Sequence, residues 1–192
     1  MNFNNLFDDH YEIRGKHAFL SPSQYHWVNY TPDKLEERFY ASQAAAHGTE
    51  LHDLAARCIK LKRKQPRNKD TFNMYVNDAI GLQMKPEQPL KYSNHCFGTA
   101  DTISFTPELL RIHDLKTGTT PASMTQLEIY AAIFFLEYGE RWDVSPERTN
   151  MELRIYQLNE KQIYRPEPED IRALMDQIVE FDAILESLDE YR

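Results

Sequence analysis

Cysteine is scarce in this chain of 192 residues, which has only Cys58 and Cys96. Two cysteines argue against a disulfide scaffold and for a reducing compartment. Long apolar runs are missing as well. The longest, Ile129 to Leu136, falls far short of the roughly 20 residues that cross a bilayer, so no membrane association is expected. Met1 to Glu12 is polar and acidic, unlike a signal peptide, and a cytoplasmic protein is expected. Basic residues are in deficit, 22 against 30 acidic, for a formal net charge of −8. A uniform deficit of that kind would oppose nucleic acid. This one is uneven. Residues 167–192 hold nine acidic and two basic residues, and the rest of the chain carries 20 basic against 21 acidic. The acidity belongs to a C-terminal helix and need not lie near a site.

The length suits one well-buried domain over 1–192. Ser21-Pro22 and Thr31-Pro32 both look like helix starts, so residues 1–45 are expected as a helical N-terminal elaboration. Gln43 to Lys62 reads as a helix with Leu51, Leu54, Ala55, Cys58, Ile59 and Lys62 near one stripe. Thr71 to Met84 reads as another, ended by Pro86 and Pro89. Ala122 to Gly139 is apolar nearly all round and is expected as the main core helix, capped by Ser123 or Thr120. Met151 to Leu158 alternates as a strand, and Ile163 and Tyr164 can pair back onto it. Pro168 starts an acidic last helix that runs to about Leu188.

The chemistry concentrates between His95 and Tyr130. Phe97 to Phe105 is rich in β-branched and aromatic residues, Thr106-Pro107-Glu108 reads as a turn, and Leu110 to Leu115 follows at once. Such a pair makes an antiparallel hairpin. Asp114 and Lys116 are two apart and share a face. Asp101, near the start of the first strand, comes close to Asp114, and His113 faces away. Two carboxylates at one place repel unless a cation lies between them, and an all-oxygen site of this kind suits Mg²⁺ or Mn²⁺. Lys116 beside it can orient a water or offset charge developing on phosphate. Lys60 to Lys69 holds six basic residues and no acidic one. It reads either as a solvated helix end or as a phosphate-gripping edge that includes Lys60, Lys62, Arg63 and Lys64.

Asp101 followed by Asp114-x-Lys116 resembles the PD-(D/E)xK nuclease superfamily. Four ordered matches are similar to its RecB-like branch: Gly48-Thr49-Glu50-Leu51-His52, Gly98-Thr99-Ala100-Asp101, Asp114-Leu115-Lys116-Thr117-Gly118 and Gln126-Leu127-x-x-Tyr130. They span residues 48–130, under half of the chain. The resemblance implies an α/β (α+β) fold with an αβββαβ core, a small mixed sheet flanked by helices. It implies His52 and the Leu115 carbonyl as metal ligands beside Asp101 and Asp114, and Gln126 and Tyr130 as residues that shape the site or touch substrate. A lone helix histidine is otherwise ordinarily packed or half-exposed. His17 to Glu37 is also similar to the opening of some phage-encoded members, which often carry a cysteine after the tryptophan. Here Val28 to Pro32 has none, and two cysteines cannot make a four-cysteine site, so no iron–sulfur cluster is expected.

These features lead to the expectation of a divalent-metal-dependent nuclease. DNA is the expected substrate, since the branch mostly acts on DNA. The expected role is an exonuclease working with phage or bacterial recombination or replication machinery, in a bacterial or infected host cell. Two alternatives stand beside it: a non-cleaving binding or structural module on the same fold, and a nuclease acting on RNA.

Overall fold

The structure, a computed structural model, describes residues 7–15, 18–41, 50–118 and 121–189, with the backbone alone at Tyr40, Ala41 and Glu50. Gly48-Thr49, Thr120 and the first part of the helix expected from Gln43 lie outside the described residues.

One mixed five-stranded sheet organises the chain. Its strands are β1 (Lys85–Lys91), β2 (Phe97–Thr106), β3 (Leu109–Leu115), β4 (Asn150–Gln157) and β5 (Glu160–Tyr164), and they lie side by side in that order. All neighbours are antiparallel except β3 and β4, which run parallel. A parallel pair needs a crossover, and helix α4 (Thr125–Trp142) supplies it. Among the described residues, three α-helices precede the sheet: α1 (Pro32–Ala41), α2 (Glu50–Lys60) and α3 (Thr71–Gly81). Helix α5 (Pro168–Asp189) ends the described chain. From α3 to β4 the order is helix, three strands, helix, strand, the expected α+β arrangement of a mixed sheet flanked by helices.

The two sheet faces are unlike. Ile103, Phe105, Leu110, Ile112, Leu153 and Ile155 pack with α4 and α5 in the main core. Leu115 and Tyr156 join α2 and α3 in a smaller one. The alternation expected along β4 therefore holds. His113 also faces away from Asp114 as expected, with its Nδ1 3.4 Å from the Tyr156 hydroxyl on the α3 side. Near them Glu152 and Asp78 gather cations: Arg111, Arg154 and Arg165 on the first, Arg154 and Lys161 on the second. The N-terminal segment clips across α4. Phe7 lies edge-on to Tyr138 and Trp142, Asp8 pairs with Arg141 and His10 with Glu137.

Several sequence expectations need correction. Pro86 and Pro89 do not separate a helix from a hairpin; they lie inside β1. Proline cannot donate to a ladder and is confined to edge strands and bulges, and β1 is an edge. Helix α3 stops at Gly81 rather than Met84, and its start is fixed by Asp70, whose carboxylate accepts from the Asn73 N–H at 3.0 Å. Helix α4 runs past Gly139 to Trp142 and stops where Asp143 turns left-handed (φ 52°). The segment at Pro22 is a 3₁₀ helix, Pro22–Asn29, interrupted at Gln24, and Ser21 makes no side-chain cap there. Along α2 the buried stripe is narrower than its spacing implies. Ala55, Cys58 and Ile59 pack on α3, whereas Leu51 and Leu54 are 37% and 49% exposed. No helix among the described residues is long and apolar enough to cross a membrane.

Candidate active site

The site forms where β2 and β3 part. Their ladder runs from Thr106↔Leu109 to Thr102↔His113 and then stops. The next step of that register sets Asp101 opposite Asp114. Instead of a backbone carbonyl, the Asp101 carboxylate takes the Leu115 N–H, at 2.9 Å to Oδ2. The pleat changes hand at the same point. A Cβ on Gly98 would face Tyr130 of α4, and Phe105 stacks on Trp142 of α4. The two are seven apart, so a regular strand would put them on opposite faces. This break turns Asp101 so that its Oδ2 also meets His52 Nδ1 of α2 at 3.1 Å. The hydrogen bond to Asp101 is the main cause that holds the His52 imidazole above its ordinary pKa, against the opposing effect of burial.

Asp114 is 3% exposed. Lys116 Nζ donates to its Oδ1 at 3.2 Å and lies 3.0 Å from Oδ2 without hydrogen-bond geometry, so Oδ2 is buried with no hydrogen-bond donor. Burial first, and then the charge of Asp101, push the Asp114 carboxyl above its ordinary pKa. Lys116 does not swing freely: its Nζ also donates to Gln126 Oε1 at 2.6 Å. Gln126 and Tyr130 are one turn apart on α4 and reach different parts of the site. The Tyr130 hydroxyl donates to the Thr99 carbonyl at 2.5 Å and so fixes the start of β2. Burial, followed by the charges of Asp101 and Asp114, keeps that phenol protonated. The approach of α4 depends on Gly98, where a Cβ would lie 2.9 Å from Pro22 Cδ and 3.2 Å from Tyr130 Cε1.

The residues singled out from the sequence thus meet at one place: His52, Asp101, Asp114, Leu115, Lys116 and Gln126 are joined by direct contacts, and Tyr130 braces the strand that carries Asp101. The basic run divides. Lys60 and Lys62 line a groove of about 720 Å³ with Asp9, Ile59, Lys85 and Pro86. Arg63 and Lys64 are exposed and are not among its lining residues. A left-handed Lys62 (φ 51°) and the bond from Arg63 N to Cys58 O (2.8 Å) turn the chain there.

Glu87 was not foreseen. It sits in β1, half-buried, and burial followed by the charge of Asp101 raises its carboxyl from the ordinary range to about 7. Reading Pro86 and Pro89 as a break hid it. The usable signal was an apolar pair, Pro89-Leu90, close before the hairpin, as in a third strand.

Asp101, Asp114 and the Leu115 carbonyl are the oxygen donors that could hold a divalent cation here. Oxygen donors of this kind match a hard cation, and Mg²⁺ is commonly held by one or two carboxylates and keeps several waters. Among the described residues, the set of three metal-ligand atoms that lie within 4.8 Å of one another is elsewhere, at Asp8, His10 and Glu137. There the groups already serve one another and Arg141, and the second Glu137 oxygen accepts from the Lys91 N–H at 2.7 Å.

No protein-family model matches this chain, and no curated protein does.

Proposed function

We propose that the chain is a divalent-metal-dependent nuclease that hydrolyses DNA, a RecB-like member of the PD-(D/E)xK superfamily. The observation that carries this reading is the pair Asp101 and Asp114, set opposite each other where two strands part, with a buried Asp114 oxygen that lacks a donor. Asp101, Asp114, His52 and the Leu115 carbonyl would hold the cation, which supplies Lewis acidity toward a phosphate oxygen and toward a bound water. Lys116 places a positive charge beside the phosphate, where charge builds in the transition state. Gln126 fixes the position of that ammonium, and Tyr130 fixes the strand that carries Asp101. Lys60 and Lys62 grip the phosphate backbone on its way in. An exonuclease role in phage or bacterial recombination or replication follows from the same resemblance.

The test is degradation of end-labelled linear single- and double-stranded DNA beside closed circular DNA, with Mn²⁺, Mg²⁺ or EDTA. Loss of linear substrate only, abolished by EDTA and by Asp114→Asn, is the expected result. Lys116→Ala should slow it by roughly 10²–10³-fold. Cutting of the circle changes the mode to endonuclease. Absence of cleavage of DNA in every metal, with RNA cleaved instead, moves the substrate. Binding without cleavage of either overturns the enzyme reading in favour of a binding module.

A further inference from the structure

Glu87 has no part in the mechanism above, yet three features set it apart. It is a left-handed residue, φ 52°, in a strand, a conformation that side-chain-bearing residues avoid and that persists only where its surroundings enforce it. No turn requires it. The β1–β2 register is the same on both sides, Pro86↔Thr102 before and Gln88↔Ala100 after, with Glu87 the one position left out. Continued through that position, the register puts Glu87 opposite Asp101, and the β2–β3 register puts Asp101 opposite Asp114. Three carboxylates therefore stand in one row across three adjacent strands, at the line where both ladders break. Because both ladders part at this line, no three ligand atoms of His52, Glu87, Asp101 and Asp114 lie within 4.8 Å of one another, and a cation would draw the carboxylates together.

The counter-charges are few. His52 meets Asp101 and Lys116 meets Asp114. The Glu87 carboxylate makes no hydrogen bond or ion pair with any described residue. Among charged groups, Asp101 acts on it most strongly, then His52, Lys60 and Asp53. At the other end of the row the buried Asp114 Oδ2 has no hydrogen-bond donor. The row is short of positive charge at its Glu87 end, and at its buried end the one Lys116 ammonium serves both Asp114 oxygens.

We propose that Glu87 is a third metal-ligating carboxylate of this site, and that it holds a divalent cation together with Asp101. This rests on the nuclease reading, in which Asp101 and Asp114 already bind metal. The row then offers two cation positions, one on each side of Asp101, and β1 contributes to the site as well as β2 and β3.

Calorimetric titration of the full chain with MnCl₂, without nucleic acid, tests it. Melting curves with and without Mn²⁺ run in parallel. Glu87→Gln should lose one Mn²⁺ equivalent or bind at least tenfold more weakly. Its metal-free Tm should rise, because one of three like charges is gone, while its gain in Tm on adding Mn²⁺ shrinks. Glu87→Gly, which takes the left-handed backbone freely, should show the same loss of metal and thereby separates ligation from backbone shape. Glu87→Asp should recover part of the affinity. Mn²⁺ binding by Glu87→Gln and Glu87→Gly equal to that of wild type overturns the proposal and leaves the nuclease reading intact. Wild type that binds no Mn²⁺ overturns both.

Discussion

Gly98 carries no chemistry, yet Asp101 is placed through it. It lets Pro22 and Tyr130 close on the start of β2. Gly98→Ala should cost about 1–3 kcal/mol by overpacking, read as a lower urea midpoint with an unchanged m-value, and should slow DNA cleavage with it. His113 gives a second test. Burial, then the Arg154 charge, lowers it from the ordinary 6.5 to about 3. Between those values the unfolded chain binds the proton and the folded chain does not. Stability from this group is therefore full above about 6.5 and falls as the pH drops toward 3, with a slope approaching about 1.4 kcal/mol per pH unit. His113→Phe should flatten the urea-midpoint profile across that window. At this scale the sequence was a good guide where spacing meant geometry. Asp114 and Lys116 two apart, and Gln126 and Tyr130 four apart, land where a strand and a helix put them. The strand around Glu87 left a faint signal in Pro89-Leu90, but nothing local announces the left-handed turn of Glu87 itself.

Hairpin and core helix were the legible elements, since β2, β3 and α4 each carry a long, clear pattern. Strand β1 was not, because proline counts as a breaker until the strand is known to lie at an edge. Nor was the N-terminal clip: Phe7, in a polar stretch, follows no period. Its weight comes from what it meets, Tyr138 and Trp142 at the C-terminal end of α4. Phe7 is 5% exposed, and Phe7→Ala should cost roughly 3–5 kcal/mol, measured by equilibrium urea unfolding. The same clip reaches β1, where the Gln88 side-chain amide donates to the Asp8 carbonyl and Lys85 pairs with Asp9. Loosening it should weaken Mn²⁺ binding as well, because β1 carries Glu87.

Over the whole molecule, the negative charge and the basic groove occupy different regions. The acidic excess lies on α5, while Lys60 and Lys62 line a groove beside α3 and β1. DNA binding, measured with Ca²⁺ in place of Mg²⁺, should weaken linearly with log salt. The double substitution Lys60→Ala/Lys62→Ala should reduce that slope by roughly 1.5. The same pair at Arg63 and Lys64, outside the groove, should change it less. Sequence composition could locate the acidic surplus but not the direction in which the basic run leaves α2, which a left-handed Lys62 decides.

The two edges of the sheet are unequal, and this bears on how copies of the protein stick together. At β1, Pro86 and Pro89 have no N–H to offer and Glu87 breaks the line. A neighbouring chain finds no clean template there. Strand β5 has no proline, is exposed along nearly its whole length, and shows Ile163 at 48% exposure. Chain-to-chain pairing at high concentration should therefore start at β5, and Ile163→Lys should raise the concentration at which aggregates appear. The edge beside the carboxylate row stays single even in a crowded solution, so clumping would hide β5 long before it hid the groove.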